Sequence, residues 1–232
     1  MLDKEKEIIT KIYKSIEESE DFAELSTIIN GDGNIFYDKG NKYLLRISSN
    51  TTEEREYREY TKELIKKVFN IQPKSYPRKG KNATELAIHN REIVEGLIAK
   101  GFKPGDKIKN QVSVLEFIKK KENFRIRGIK GLFDTDGSIY LRNTQKSIGL
   151  NFKNKSLPLV KDFKEMCESL EIKTQKIPKP KITHDHRYGK DYKCHQVTIE
   201  NKLYVAKFLD KIKPEKLYNH AKVIGMALLT LQ

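Results

Sequence analysis

One stretch constrains this chain more than any other: Ile129-Lys130-Gly131-Leu132-Phe133-Asp134-Thr135-Asp136-Gly137. It reads as a helix with small residues along one side, closed by an acid and a glycine. A second copy lies upstream, Leu25-Ser26-Thr27-Ile28-Ile29-Asn30-Gly31-Asp32-Gly33. In both, Asp-Gly ends the helix and a short β-prone run follows, Asn34 to Tyr37 and Ser138 to Leu141. The small residues fall four apart, Thr27 with Gly31 and Gly131 with Thr135, so each pair shares one helix face one turn apart. Small pairs at this spacing let two helix backbones approach closely. The two segments are therefore expected to pack on each other, with Leu25, Ile28, Ile29, Ile129, Leu132 and Phe133 facing the core of each half.

The rest of the chain repeats around them. Asp32 and Asp136 are 104 residues apart, as are Asn50 and Asn154; Ile88-His89-Asn90 and Ile199-Glu200-Asn201 are 111 apart. The first half reads as the motif helix, a hairpin over 34–48 turning at Asp38-Lys39-Gly40-Asn41, and a helix capped by Thr51 and Glu54 and running to Val68. Strands at Ile71–Tyr76 and Ala83–Ile88 and a helix from Arg91 to Lys100 complete it. The second half repeats this: a short helix over 113–121, a motif helix capped by Asn123, and a hairpin over 138–152. A helix capped by Ser156, strands at Ile172–Ile177 and Lys193–Ile199, and helices at 202–212 and 218–231 follow. Another helix is expected over Glu5–Ile16, and Gly33 is expected to stop the first motif helix. Two units make an internal pseudo-dimer rather than a solenoid. The division is 1–20 as a helical extension, 21–112 as the first half and 113–232 as the second.

The motif pair raises an electrostatic problem. Packed side by side, the two helices bring Asp32 and Asp136 to their C-terminal ends, where the carboxylates repel each other and meet the negative end of each dipole. A divalent cation relieves both penalties. The two carboxylates, with the last-turn carbonyls of Gly31 and Thr135, are hard oxygen ligands suited to Mg²⁺ or a similar ion such as Mn²⁺. Asp134, whose counterpart is Asn30, is expected to make a cap or polar contact. His184-Asp185-His186 and Cys194-His195 match no zinc spacing.

Charge names the partner class. Lys+Arg total 46 against 32 Asp+Glu, a net charge of +14 over 232 residues, which calls for a polyanion, nucleic acid before a membrane surface. No apolar run approaches a membrane span. Only Cys167 and Cys194 are thiols, and Met1 to Lys6 holds no apolar signal region, so a reducing cytoplasm is expected.

The motifs, most clearly Gly131 to Gly137, resemble those of LAGLIDADG homing endonucleases in the single-chain form with two motifs. The loop Gly101 to Lys109 and the segment Val114 to Ile118 resemble that family's linker. The resemblance implies an α+β fold of two pseudo-symmetric αββαββα halves, whose two antiparallel sheets form a DNA-binding saddle. It implies a monomer acting on a long, asymmetric double-stranded DNA site. It also implies metal-dependent hydrolysis of phosphodiester bonds, with Asp32 and Asp136 binding the metals and a lysine from each half supporting the chemistry. That lysine is Lys107 or Lys109 in the first half and Lys213 or Lys216 in the second. DNA contacts are expected from sheet faces turned away from the helices: Lys42, Arg46, Arg78, Lys79, Lys81, Tyr140, Arg142, Asn151 and Lys153. The basic, Tyr-bearing run 173–193 adds Lys173, Lys176, Lys179, Lys181, Arg187, Tyr188, Lys190, Tyr192 and Lys193. A non-cleaving nucleic-acid binder on the same scaffold, an RNA splicing maturase or a DNA-binding regulator, is the alternative.

Overall fold

A computed structural model describes residues 16–38, 42–142, 147–185 and 189–216. The helices expected over 5–16 and 218–231 and the turn at 39–41 lie outside the described residues, apart from Ile16. Two antiparallel four-stranded sheets are present, one from each half. The first half runs α1 (Glu20–Gly31), β1 (Gly33–Asp38), β2 (Lys42–Asn50), α2 (Arg55–Phe69), β3 (Lys74–Pro77), β4 (Ala83–Ile88) and α3 (Arg91–Ala99). Two short helices follow, α4 (Lys107–Asn110) and α5 (Glu116–Lys120). The second half runs α6 (Glu122–Asp136), β5 (Gly137–Arg142), β6 (Ser147–Asn154), α7 (Leu157–Ser169), β7 (Lys181–Asp185), β8 (Lys190–Ile199) and α8 (Lys202–Ile212). The strand orders are the same, β1-β2-β4-β3 and β5-β6-β8-β7, as an internal duplication requires.

Helices α1 and α6 pack as the small-residue pattern demands. A Cβ built on Gly31 would collide with the side chain of Thr135, and one built on Gly131 would collide with Thr27 Oγ1. Equivalent positions of the two halves therefore meet each other, glycine against threonine each time. Two glycines would leave a gap and two threonines would clash. Each hydroxyl folds back onto its own helix: Thr27 Oγ1 donates to Glu24 O at 2.9 Å and Thr135 Oγ1 to Leu132 O at 2.9 Å. This keeps the polar atoms satisfied in a dry interface. Around it one continuous apolar core joins both halves, including Phe22, Leu25, Ile28, Ile129, Leu132, Phe152 and Phe163.

The sheets follow from alternation. Leu45 and Ile47 on β2 pair with Ile88 and Leu86 on β4 and are buried in the core. The intervening Arg46 and Ser48, with Glu85 and Ala87, fall on the open face. In the second sheet Leu150 and Phe152 pair with Ile199 and Val197 on the core side, leaving Asn151, Lys153, Gln196 and Thr198 on the open side.

Several local expectations are corrected. Helix α2 starts at Arg55, not Thr51, because Asn50 Oδ1 accepts from the amides of Thr52 and Glu53 and closes a turn ahead of the helix. Glu54 Oε2 instead accepts from the Asn50 amide at 2.6 Å. Helix α6 begins at Glu122, and Asn123 turns its amide to Glu20 Oε1 at 2.7 Å. Ser156 stands at the start of α7 but makes no side-chain cap; its hydroxyl donates to Val112 O at 2.6 Å. The strand placed at Ile172–Ile177 is not one: Gln175 makes one backbone bond to Thr198 O, and pairing starts only after Pro178 and Pro180, at Lys181. Likewise β3 starts at Lys74, just past Pro73. Helix α4, which carries Lys107, forms where the sequence suggests a loop; Asp106 Oδ1 caps it, accepting from the Ile108 amide at 2.9 Å. Gly33 does end α1, but not through a left-handed turn. A Cβ there would come within 2.6 Å of Ile29 O, and Gly137 crowds Phe133 in the same way.

Gly131→Ala tests the interface. An exposed helical Gly→Ala gains about 1 kcal/mol from helix propensity. Here the new Cβ would lie 2.6 Å from the Glu24 carbonyl oxygen, so a net loss of about 1–3 kcal/mol is expected. Thermal unfolding at or above the wild-type midpoint would contradict the close packing.

Candidate metal and nucleic-acid site

Asp32 caps the C-terminus of α1 and Asp136 is the last residue of α6, so the helix pair delivers both half-buried carboxylates to one end of the interface. Burial pushes the Asp32 carboxyl up to about 7; the Lys216 ammonium opposes this, and the Asp136 charge adds to it. Asp136 is also raised, again by burial, against a hydrogen bond from Asn154 and the charges of Lys107 and Lys216. Asn154 Nδ2 donates to Asp136 Oδ2 at 2.9 Å and so fixes the orientation of that carboxylate. The residue was visible in the sequence only as a repeat marker. Its counterpart Asn50 instead holds the turn before α2.

The lysines sort themselves by position. Lys107 Nζ donates to Asn30 O at 3.1 Å and to Gly31 O. The Gly31 carbonyl, expected to face a metal ion, thus accepts from an ammonium. Burial lowers the Lys107 pKa, and the charges of Asp136 and Asp32 counter it. Lys109, the alternative, is exposed. In the second half Lys213 is exposed at the end of α8, whereas Lys216 is half-buried and acts electrostatically on both aspartates. Its ammonium pairs with Glu54 and lies 4.5 Å from the Tyr57 ring centroid.

Asp134 explains how Lys216 arrives there. It is buried, and its two oxygens accept from the amides of Glu215 and Lys216 at 3.0 Å each. Lys130 Nζ adds a bond to Glu215 Oε2 at 2.9 Å. The equivalent Asn30 donates to Ser113 O at 3.0 Å. Asp134 therefore makes the polar contact expected of it, and Asn30 makes one too, the first tying down the segment after α8 and the second the segment after α4. Burial raises the Asp134 carboxyl to about 7 even against those two amides.

A cavity of about 270 Å³ opens beside Asp136, lined among others by Asn30, Gly31, Lys107, Lys153, Asn154, Lys155 and Cys194. Among the described residues no group of three or more His, Cys, Asp or Glu could hold a metal ion. Two carboxylates without a full protein cage match how Mg²⁺ is usually held, with waters and substrate phosphates completing the shell.

The open sheet faces carry much of the expected basic set. Lys42, Arg78, Lys79, Lys81, Lys153, Lys181 and Lys190 are exposed, and Arg46 is half-buried. Lys173, Lys176 and Lys179 lie exposed in the irregular segment before β7. Lys193 pairs with Ile182, on the face opposite Lys181 and Tyr192. Tyr140 covers Gly149 and donates to Glu200 Oε1 at 3.3 Å. Asn151 Oδ1 is buried without a hydrogen-bond partner. Lys155, which sequence reasoning missed, places Nζ 3.8 Å from the Tyr192 ring centroid. Arg187, Tyr188 and the side chain of Arg142 lie outside the described residues. Both cysteines are free and buried, and no helix among the described residues is long and apolar enough to cross a membrane.

A carboxyl raised from 3.8 unfolded to about 7 folded stabilises the fold fully below the lower value, and that stability is lost as pH rises through the upper one. Metal-free Asp32→Asn protein should therefore melt a few °C above wild type at pH 8, with the difference gone near pH 4. Mg²⁺ should raise the wild-type midpoint only. Equal midpoints at pH 8 would count against a strained carboxylate.

A model of a LAGLIDADG-like domain matches residues 123–213. No curated protein compared with the chain matches it. Among solved structures, I-DmoI in complex with DNA and Mn is 20% identical, with a TM-score of 0.53 over 83% of this chain and 96% of its own. I-DmoI in complex with DNA and Ca gives 20% and 0.52 over 83% and 88%. The N-terminal LAGLIDADG domain of DUF199/WhiA gives 13% and 0.50 over 87% and 90%. Residues 123–213 match a LAGLIDADG-like domain, and the chain as a whole shares the fold of I-DmoI.

Proposed function

We propose that this protein is a site-specific double-strand DNA endonuclease that hydrolyses phosphodiester bonds with divalent metal ions. One observation carries the reading: two carboxylates, Asp32 and Asp136, are held at the joined C-terminal ends of a tightly packed helix pair, with Lys107 and Lys216 beside them. The donor set fits Mg²⁺ or Mn²⁺: Asp32 and Asp136, with the Thr135 carbonyl, would hold the ions, while the Gly31 carbonyl stays with the Lys107 ammonium. Bound there, the metal supplies a water nucleophile at neutral pH and charge stabilisation at the leaving oxygen.

The chain's own groups do the rest. Asn154 orients Asp136. The ammonium groups of Lys107 and Lys216 face the same acids and are placed to offset negative charge developing on a phosphate. The open sheet faces, with Arg46, Arg78 and Lys153, hold the duplex through phosphate and base-edge contacts. The I-DmoI complexes with DNA and Mn or Ca support this use of the fold. Lys213 is left as a solvated charge.

A second reading, a non-cleaving nucleic-acid binder on the same scaffold, is favoured by one feature. Lys107 already donates to the carbonyls at the end of α1, and Lys216 already bears on both acids, so the site has built-in cations.

Incubation with plasmids carrying a randomised target library and Mg²⁺ separates the two. Wild type should cut both strands. Asp32→Asn and Asp136→Asn should bind and not cut. Lys216→Met should cut roughly 10²-fold more slowly and Lys213→Met at the wild-type rate. Cutting that survives both aspartate changes sinks the mechanism. Tight sequence-selective binding by wild type without cutting establishes the second reading.

A further inference from the structure

We propose that Glu85 is a specificity-determining residue: it sets Arg46 and Arg78 side by side as a guanine-reading pair on the open face of the first sheet. The inference rests on the DNA-binding reading above and deepens it for one half-site. Glu85 stands on β4, opposite Ser48 of β2 and Tyr76 of β3, and is only 9% exposed on a face otherwise rich in cations. Each of its oxygens takes one guanidinium: Oε2 meets Arg46 Nη1 at 3.3 Å and Oε1 meets Arg78 Nη1 at 3.4 Å. On its other side the Arg46 guanidinium lies 4.2 Å from the Phe36 ring centroid.

A carboxylate here works against simple phosphate binding, because it removes positive charge from the surface that meets a polyanion. What it supplies is geometry. An arginine is long and mobile, and reading guanine takes two parallel N–H groups aimed at O6 and N7. Glu85 uses one terminal nitrogen of each guanidinium; the Arg46 Nε is buried, so Arg46 can turn Nη2 and the outer N–H of Nη1 to the groove. The Phe36 ring limits how far the Arg46 plane can turn. Among the described residues the matching positions of the second half carry no such arginine–carboxylate pair. Counting 111 residues on from Glu85 gives Gln196, and Asn151 takes the register position of Arg46. Carboxamides suit adenine rather than guanine. The guanine preference should therefore be confined to the half-site under the first sheet.

The test is selection of bound sequences from a randomised duplex library by the full-length protein, wild type against Glu85→Gln. The variant should lose about tenfold in preference for guanine at one or two positions of a single half-site. Its affinity for random-sequence duplex should hold or rise, since the patch loses a negative charge. Arg46→Lys keeps the charge and loses the fork, so it should relax one of the same positions even if Glu85→Gln folds poorly. A base profile unchanged in both variants, or relaxed evenly over both half-sites, overturns the proposal and leaves the endonuclease reading standing. A wild-type protein with no sequence preference overturns that reading and this one together.

Discussion

Everything in this molecule depends on how closely α1 and α6 approach. The approach is set by two contacts, Gly31 with Thr135 and Thr27 with Gly131, in which equivalent positions of the two halves face each other and differ only in which half supplies the glycine. An isologous interface usually places identical residues on its axis. Here the duplication has diverged to a glycine–threonine match, which fills the space that two identical side chains would overfill or leave empty. Because the helices end together, the residues that end them arrive together too. The placement of Asp32 and Asp136 is a consequence of packing at the residues just before them.

That placement stores electrostatic cost. Burial opposes ionisation of Asp32, Asp136 and Asp134 alike, and a group of raised carboxyls at one spot is a common mark of a functional centre. Each half responds with a tethered lysine. Asn30 ties down Ser113, in the linker that follows α4 and its Lys107, while Asp134 grips the amides of Glu215 and Lys216 directly. The asymmetry extends into the interface, where Glu24, Lys130, Tyr60 and Arg127 form a buried ionic group with no equivalent in the opposite sense. Lys130 reaches on to Glu215, so the same group helps anchor the turn that carries Lys216.

The places where local sequence reasoning went astray have identifiable causes. Thr51 and Glu54 look like a capping box, but Asn50 offers the backbone a competing turn and takes those amides first. Ile172 to Ile177 has strand composition, yet it makes a single backbone bond to β8, from Gln175 to Thr198 O, and Pro178 and Pro180 beyond it cannot donate to a ladder. The resemblance singles out Lys107 but does not show its helix. Four residues capped by Asp106 give too little periodicity to detect. Asn154 was noticed for its spacing alone, because nothing in a linear string shows that an amide at a strand end will reach an aspartate at a helix end.

By itself the sequence determined the two-fold repeat, the helix pair, the sheet faces and the identity of the two acids. Those follow from periodicity, small-residue spacing and net charge, which are local or additive properties. Tertiary structure decided which second-half lysine lies near the acids, what Asp134 holds, and that Glu85 lies between Arg46 and Arg78. Lys213 and Lys216 are three residues apart and chemically alike. Only the hydrogen bonds from the Glu215 and Lys216 amides to Asp134, across the fold, turn one of them toward the acids and leave the other in water.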